Sequence, residues 1–225
     1  VAGPEKRSRR IIEKDRRLTA YHEAGHALCA YYLPTQDPVH QISIIPRGSA
    51  GGYTMSLPLE DKSYMSRREM TEDIISLLGG RAAESLMLDD ISTGASNDID
   101  RATKLATSMV MKFGFSDKLG PVRYGGDDNE VFIGRDYGQT RNYSENVAAE
   151  IDNEIHTLIR DCFERAKDIL RSHEDKLTRI AERLLETEKI EGAEFSELMN
   201  DSSAETPAIP EAAGRTELPP ENAQE

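Results

Sequence analysis

A chain of 225 residues that is 37% hydrophobic and 6% aromatic has enough apolar material for a helical core, in one large or two small domains. Its net charge of −13 excludes a general nucleic-acid binder, because a phosphate-tracking surface gathers Lys and Arg over a whole face. No apolar run reaches the about 18 residues of a membrane span, no signal peptide is visible, and Cys29 and Cys162 suit a reducing compartment better than a disulfide framework.

In chain order, residues 1–17 carry seven Lys or Arg against three acids, as in a linker that follows another domain or in a solvated helix start. Leu18, Tyr21, Gly25, Leu28 and Tyr32 then follow helical spacing until Pro34 stops it, which predicts a helix of about four turns carrying HEAGH at 22–26. At about 100° per residue, His22 and His26 stand one turn apart and can grip one ion. Glu23 leaves the same broad side at an angle unsuited to coordinating that ion and suited to contacting a water beside it. Zinc held by two neutral imidazoles and one carboxylate keeps a position open for water and lowers its pKa from about 15.7 to about 7. A carboxylate base at Glu23 completes the parts needed for peptide-bond hydrolysis.

Next, VHQISII at 39–45 and GYTMSL at 52–57 predict two short strands joined by PRGSAG. Ser66 and Glu69 form a capping-box pattern that opens a helix striped by Met70, Ile74, Leu77 and Leu78. Gly79 and Gly80 interrupt it at about 1 kcal/mol each relative to Ala, so another backbone is expected to approach there. The loop ISTGASND leads into a helix with Ile99, Ala102, Ala106, Met109 and Phe113 on one face and Asp98 in its first turn. Residues 119–140 read as an irregular connection. From Ser144 onward, one stripe runs through Val147, Ile151, Ile155, Leu158, Cys162 and Ile169, and a second through Leu177, Ile180, Leu184 and Leu185. These predict a helical hairpin packed within the domain rather than a coiled coil, then a short helix from Phe195 to Met199. Residues 200–225, with six acids and four Pro, read as a disordered tail.

Two histidines need a third donor, and the candidates are Glu84, Asp98, Asp100, Cys29 and the remaining histidines. Asp98 stands where a small-residue loop meets a helix N-terminus, whose dipole helps keep a carboxylate ionised; its ordinary role there would be a first-turn acid. Glu84 follows closely, with a surface charge or a partnership with Arg81 as its ordinary role. Cys29 reads as a packing thiol, and His40, His156 and His173 lack partners at ligand spacing.

Taken in order, TAYHEAGHA, HQISIIPRG, GGYT, LLGGRAAE and STGASNDI resemble the protease domain of the FtsH family of ATP-dependent zinc metalloproteases. The likeness is strong over about 18–115 and looser through the later helices. The elements read above predict a mainly α-helical fold with a small β-hairpin or short sheet near the active site and HExxH on a helix, and the resemblance agrees with it. The resemblance further implies one Zn2+ held by His22, His26 and Asp98, Glu23 as catalytic base, and Gly51, Gly52, Tyr53 and Thr54 on a strand whose edge pairs with extended substrate.

Family members carry membrane spans and an ATPase ahead of this domain, form homo-hexamers, and degrade unfolded or membrane-extracted proteins. No G-x-x-x-x-G-K-[ST] loop occurs here, so ATP and Mg2+ are expected only through an ATPase outside these residues. The expected organisation is a linker remnant of that ATPase at 1–17, the metalloprotease domain at 18–199 and the tail at 200–225. The fragment is expected to be soluble, and the full protein membrane-anchored with this domain on the cytoplasmic side. Two other functions stay open: a zinc aminopeptidase, and a helical assembly module with a structural zinc.

Overall fold

The computed structural model describes residues 12–47, 51–58, 63–88, 90–125 and 143–200. The tail expected at 200–225 lies outside them from residue 201 on, as do residues 1–11 and most of the irregular connection. The helix carrying HEAGH, α1 (Glu13–Tyr32), begins before Leu18, and Glu13 and Asp15 in its first turn favour that start by opposing the positive end of the helix dipole. Ala20, Ala24, Ala27, Leu28 and Cys29 are wholly buried and point in several directions. The helix is therefore surrounded, with α2 (Arg67–Met87) and α5 (Glu174–Thr187) along its sides and the small sheet against it.

Helix α2 (Arg67–Met87) opens on the expected capping box: the Glu69 N–H donates to Ser66 Oγ, and the Ser66 N–H donates to Glu69 Oε2 at 2.7 Å. Such caps contribute about 1 kcal/mol. Of its two glycines, Gly79 meets the expected backbone, whereas Gly80 faces a side chain, the His22 ring. A Cβ on Gly25 would stand 2.4 Å from the Gly79 carbonyl oxygen, and one on Gly79 would stand 2.7 Å from that of Gly25. The two helices thus cross backbone to backbone, and a methyl group on either residue would force them apart.

Strands β1 (Val39–Ser43) and β2 (Tyr53–Ser56) pair antiparallel, with a register shift between Val39 and Gln41. A third strand, β3 (Lys189–Glu191), pairs antiparallel with β1 and gives the order β2-β1-β3. Reading only two strands missed it. Three residues carry no measurable alternation, and β3 exists because Glu188, in a left-handed conformation at φ 61°, turns the chain out of α5 and sets Ile190 opposite Ile42 in the core.

Helix α3 (Ser96–Thr107) runs into a π-helical turn at Ser108–Lys112. The wider turn shifts Phe113 off the buried face that its spacing predicted, and its ring is exposed. Helices α4 (Glu145–Ser172), α5 (Glu174–Thr187) and α6 (Gly192–Asn200) complete the domain. The expected hairpin is not a self-packed pair, since α4 lies chiefly on α2 and α5 on α1. Each stripe found a deeper partner than its neighbour in sequence. Full burial of a side chain such as Leu170, Leu177, Ile180 or Leu184 contributes about 1.5–3 kcal/mol.

Candidate metal centre

Helix α1 delivers His22, Glu23 and His26, and the first turn of α3 delivers Asp98, to one cleft of about 950 Å³. His22 Nε2 lies 3.0 Å from His26 Nε2, and Asp98 Oδ2 lies 3.3 Å from the first and 3.5 Å from the second. Tetrahedral zinc with bonds near 2.0–2.1 Å separates its donors by about 3.3 Å. The three atoms form a triangle of that size, and they are the one group of His, Cys, Asp or Glu donors so arranged among the described residues.

Each imidazole is oriented from behind. His22 Nδ1–H donates to Glu84 Oε1 at 2.8 Å, and His26 Nδ1–H donates to the Ser76 carbonyl at 2.8 Å. With both Nδ1 atoms committed as donors, a neutral ring presents its lone pair at Nε2, toward the shared space. Facing lone pairs and a carboxylate repel one another unless a cation lies among them, so the donor chemistry fits zinc. Gly80 makes room for the first ring, because a Cβ there would stand 2.5 Å from His22 Cε1.

Glu84 is fully buried, so of its two ordinary roles the surface charge is excluded and the partnership with Arg81 is present. Besides His22, it accepts hydrogen bonds from the Ser92 N–H at 2.8 Å and the Ser92 hydroxyl at 3.2 Å, and Arg81 lies 3.6 Å away. Glu84 therefore ties the His22 ring to the loop that leads into α3 and Asp98. Its spacing from Gly80 carried the signal: residues 80 and 84 share a helix face, one clearing the ring and the other binding it.

Glu23 is buried at the cleft wall, where the Thr54 hydroxyl donates to its Oε2 at 2.9 Å. Gly51, Gly52, Tyr53 and Thr54 all line the cleft, on or just before the outer strand β2. Arg101 lines it too, with Nη1 3.9 Å from Asp98 Oδ1. Sequence reasoning did not single out Ser76, Ser92 or Arg101; a backbone carbonyl and loop hydroxyls leave no spacing to detect.

Burial pushes the Glu23 carboxyl above its ordinary value, against the opposing pull of His26, His22 and the Thr54 hydroxyl. Burial also pulls His22 down, but its hydrogen bonds to Asp98 and Glu84 outweigh that and raise it to about 9. Asp98 is pushed up by burial and brought well below the usual carboxylate range by hydrogen bonds with His22 and His26. The same electron-rich atoms that draw a proton to His22 draw a metal cation.

The other candidates stand apart. Asp100 pairs with Lys104 at 2.6 Å on the exposed side of α3. Cys29 is wholly buried behind the glycine crossing, its thiol pushed up to about 12 by burial. His40 and His156 are exposed, and His173 stacks on Tyr32 with ring centroids 3.8 Å apart.

Comparison with known proteins follows the same line. The family model described as Peptidase family M41 matches residues 9–198. The chain is 58% identical over 205 residues to the ATP-dependent zinc metalloprotease FtsH 1 of Thermoanaerobacter sp. (strain X514), covering 91% of this chain and 34% of that protein. It is 57% identical over 199 residues to the ATP-dependent zinc metalloprotease FtsH of Caldicellulosiruptor bescii, covering 88% and 32%, and 48% identical over 202 residues to that of Thermotoga maritima, covering 89% and 33%. The chain thus spans about a third of the length of these curated relatives.

Proposed function

The chain belongs to peptidase family M41, and on that premise we propose that it hydrolyses internal peptide bonds, with zinc held by His22, His26 and Asp98 and with Glu23 as the proton acceptor. The observation that carries this reading is the convergence of His22 Nε2, His26 Nε2 and Asp98 Oδ2 within 3.0–3.5 Å, each imidazole already fixed through Nδ1. Among the described residues three protein donors meet there, the count of a catalytic rather than a structural zinc site. Zinc bound there supplies Lewis acidity, which polarises a peptide carbonyl and acidifies a water molecule.

The chain's own residues supply the rest. Glu23, next to the donors and raised in basicity by burial, accepts a proton from water and returns it to the departing amine. Asp98 stays ionised through its histidine contacts. The outer strand β2 offers main-chain groups to an extended substrate, a mode that reads backbone and admits many sequences.

The relatives are named ATP-dependent, and they are about three times as long as this chain. In the complete protein, an ATPase using ATP and Mg2+ would feed unfolded or membrane-extracted polypeptide to this site within a homo-hexamer. Membrane anchoring would come from other segments and leave this domain on the cytoplasmic side. Among the described residues no helix is long and apolar enough to cross a membrane.

An unstructured peptide with an acetylated N-terminus tests the reading. The zinc-loaded chain should cut it internally, lose activity to a chelator and regain it with zinc. Glu23→Gln should keep its zinc while kcat falls at least about 100-fold. Cleavage that requires a free amino terminus would instead favour an aminopeptidase, and full turnover in zinc-loaded Glu23→Gln would remove Glu23 from the chemistry.

A further inference from the structure

We propose that Thr54 is a positioning residue for Glu23: its hydroxyl fixes the carboxylate that accepts the proton, and Gly52 leaves the space in which that carboxylate sits. This rests on the peptidase reading, with Glu23 as base. Thr54 Oγ1 stands 2.9 Å from Glu23 Oε2 and 3.1 Å from the Glu23 carbonyl oxygen. A hydroxyl has one proton to give, and the charged carboxylate is the stronger acceptor. On the other oxygen, a Cβ added to Gly52 would come within 2.9 Å of Glu23 Oε1. One oxygen of the carboxylate therefore lies against β2 and the other against Gly52 just before it, although the glutamate belongs to α1.

The hydroxyl is itself held by the sheet. Thr54 pairs with Ile42, whose side chain is wholly buried, and β1 is braced on its far side by β3. Strand pairing sets both residues of a cross-strand pair on one face, so Thr54 is turned toward α1 by register. A glutamate side chain has three rotatable bonds, and a loose carboxylate spends part of its time turned away from the reacting water. Small misplacements of a reacting group cost rate out of proportion to their size. In this arrangement the strand that borders the substrate cleft also sets the base.

Isosteric Thr54→Val removes the hydroxyl, and Thr54→Ser keeps it. With the zinc-loaded chain and the acetylated peptide, Thr54→Val should lower kcat about 10- to 100-fold with KM and zinc affinity within about twofold of wild type. Thr54→Ser should return kcat to within about threefold. A crystal structure of zinc-loaded Thr54→Val should show the Glu23 carboxylate displaced or in more than one rotamer, with the metal donors unmoved. Should Thr54→Val fail to fold, Thr54→Ala provides the hydroxyl-free member of the comparison. Wild-type kcat in the hydroxyl-free variant, a change confined to KM, or equal losses in the Val and Ser variants would overturn the positioning role. Wild-type chain that holds stoichiometric zinc and cuts no peptide would instead overturn the peptidase reading, and the role of Thr54 with it.

Discussion

His22 is gripped by carboxylates on two sides, and the two do different work. Asp98 meets Nε2, inside the donor triangle, while Glu84 meets Nδ1 from behind and also holds the Ser92 loop. Exchanging them for amides separates the roles. Glu84→Gln should weaken zinc binding about 10- to 100-fold, the usual effect of losing a group that orients a ligand. Asp98→Asn should weaken it more, because a charged donor becomes a neutral one. Metal titration of the two variants checks this, and a greater loss in Glu84→Gln would make Glu84 the donor. At this scale the sequence was most legible where chemistry demands spacing: HEAGH sets His22, Glu23 and His26 by the helical period alone. The choice of Asp98 over Glu84 needed the resemblance, since either acid could follow its helix to the site, and only the fold shows which face of His22 each one meets.

The α1–α2 crossing is the element on which the site is built. Gly25 lies between the two histidines, and its backbone touches that of Gly79. Gly25→Ala should therefore destabilise the fold by about 1–3 kcal/mol and weaken zinc binding together, measurable by thermal unfolding and metal titration. A second joint lies at the far end of α1, where buried Glu72 of α2 accepts from the Thr35 N–H at 2.8 Å, the Thr35 hydroxyl at 2.6 Å and Arg68 at 2.8 Å. Burial pushes the Glu72 carboxyl up, but the hydrogen bonds from Thr35 and Arg68 outweigh it and hold it below its ordinary 4.5. A depressed folded-state value means stability that is fully present above pH 4.5 and lost as pH falls through the folded value. Glu72→Gln should thus cost about 1–3 kcal/mol near neutral pH, and unfolding curves of variant and wild type should converge in acid. Among elements, the capping box, the glycine crossing and the long apolar stripes were readable. Strand β3, the π-turn that exposes Phe113 and the separate docking of α4 and α5 were not, because each is decided by a tertiary partner rather than by local period.

Across the whole molecule, one buried helix places two imidazoles and an acid where a second helix and a sheet can finish the site. The mainly helical architecture with a small sheet was legible because the apolar stripes repeat at helical spacing over most of the described chain. The sheet's third member and the packing order were set by contacts between distant segments. The organisation as part of a longer ATP-dependent protein belongs to the full relatives, of which this chain spans about a third. Every role assigned above depends on a single metal centre, which anomalous diffraction at the zinc edge from crystals of the zinc-loaded chain would locate. One peak is expected, bonded to His22 Nε2, His26 Nε2 and an Asp98 oxygen, with no fourth protein donor and Glu84 still on His22 Nδ1. A peak ligated by Glu84, a fourth side chain closing the site, or no peak between these residues would contradict this assignment.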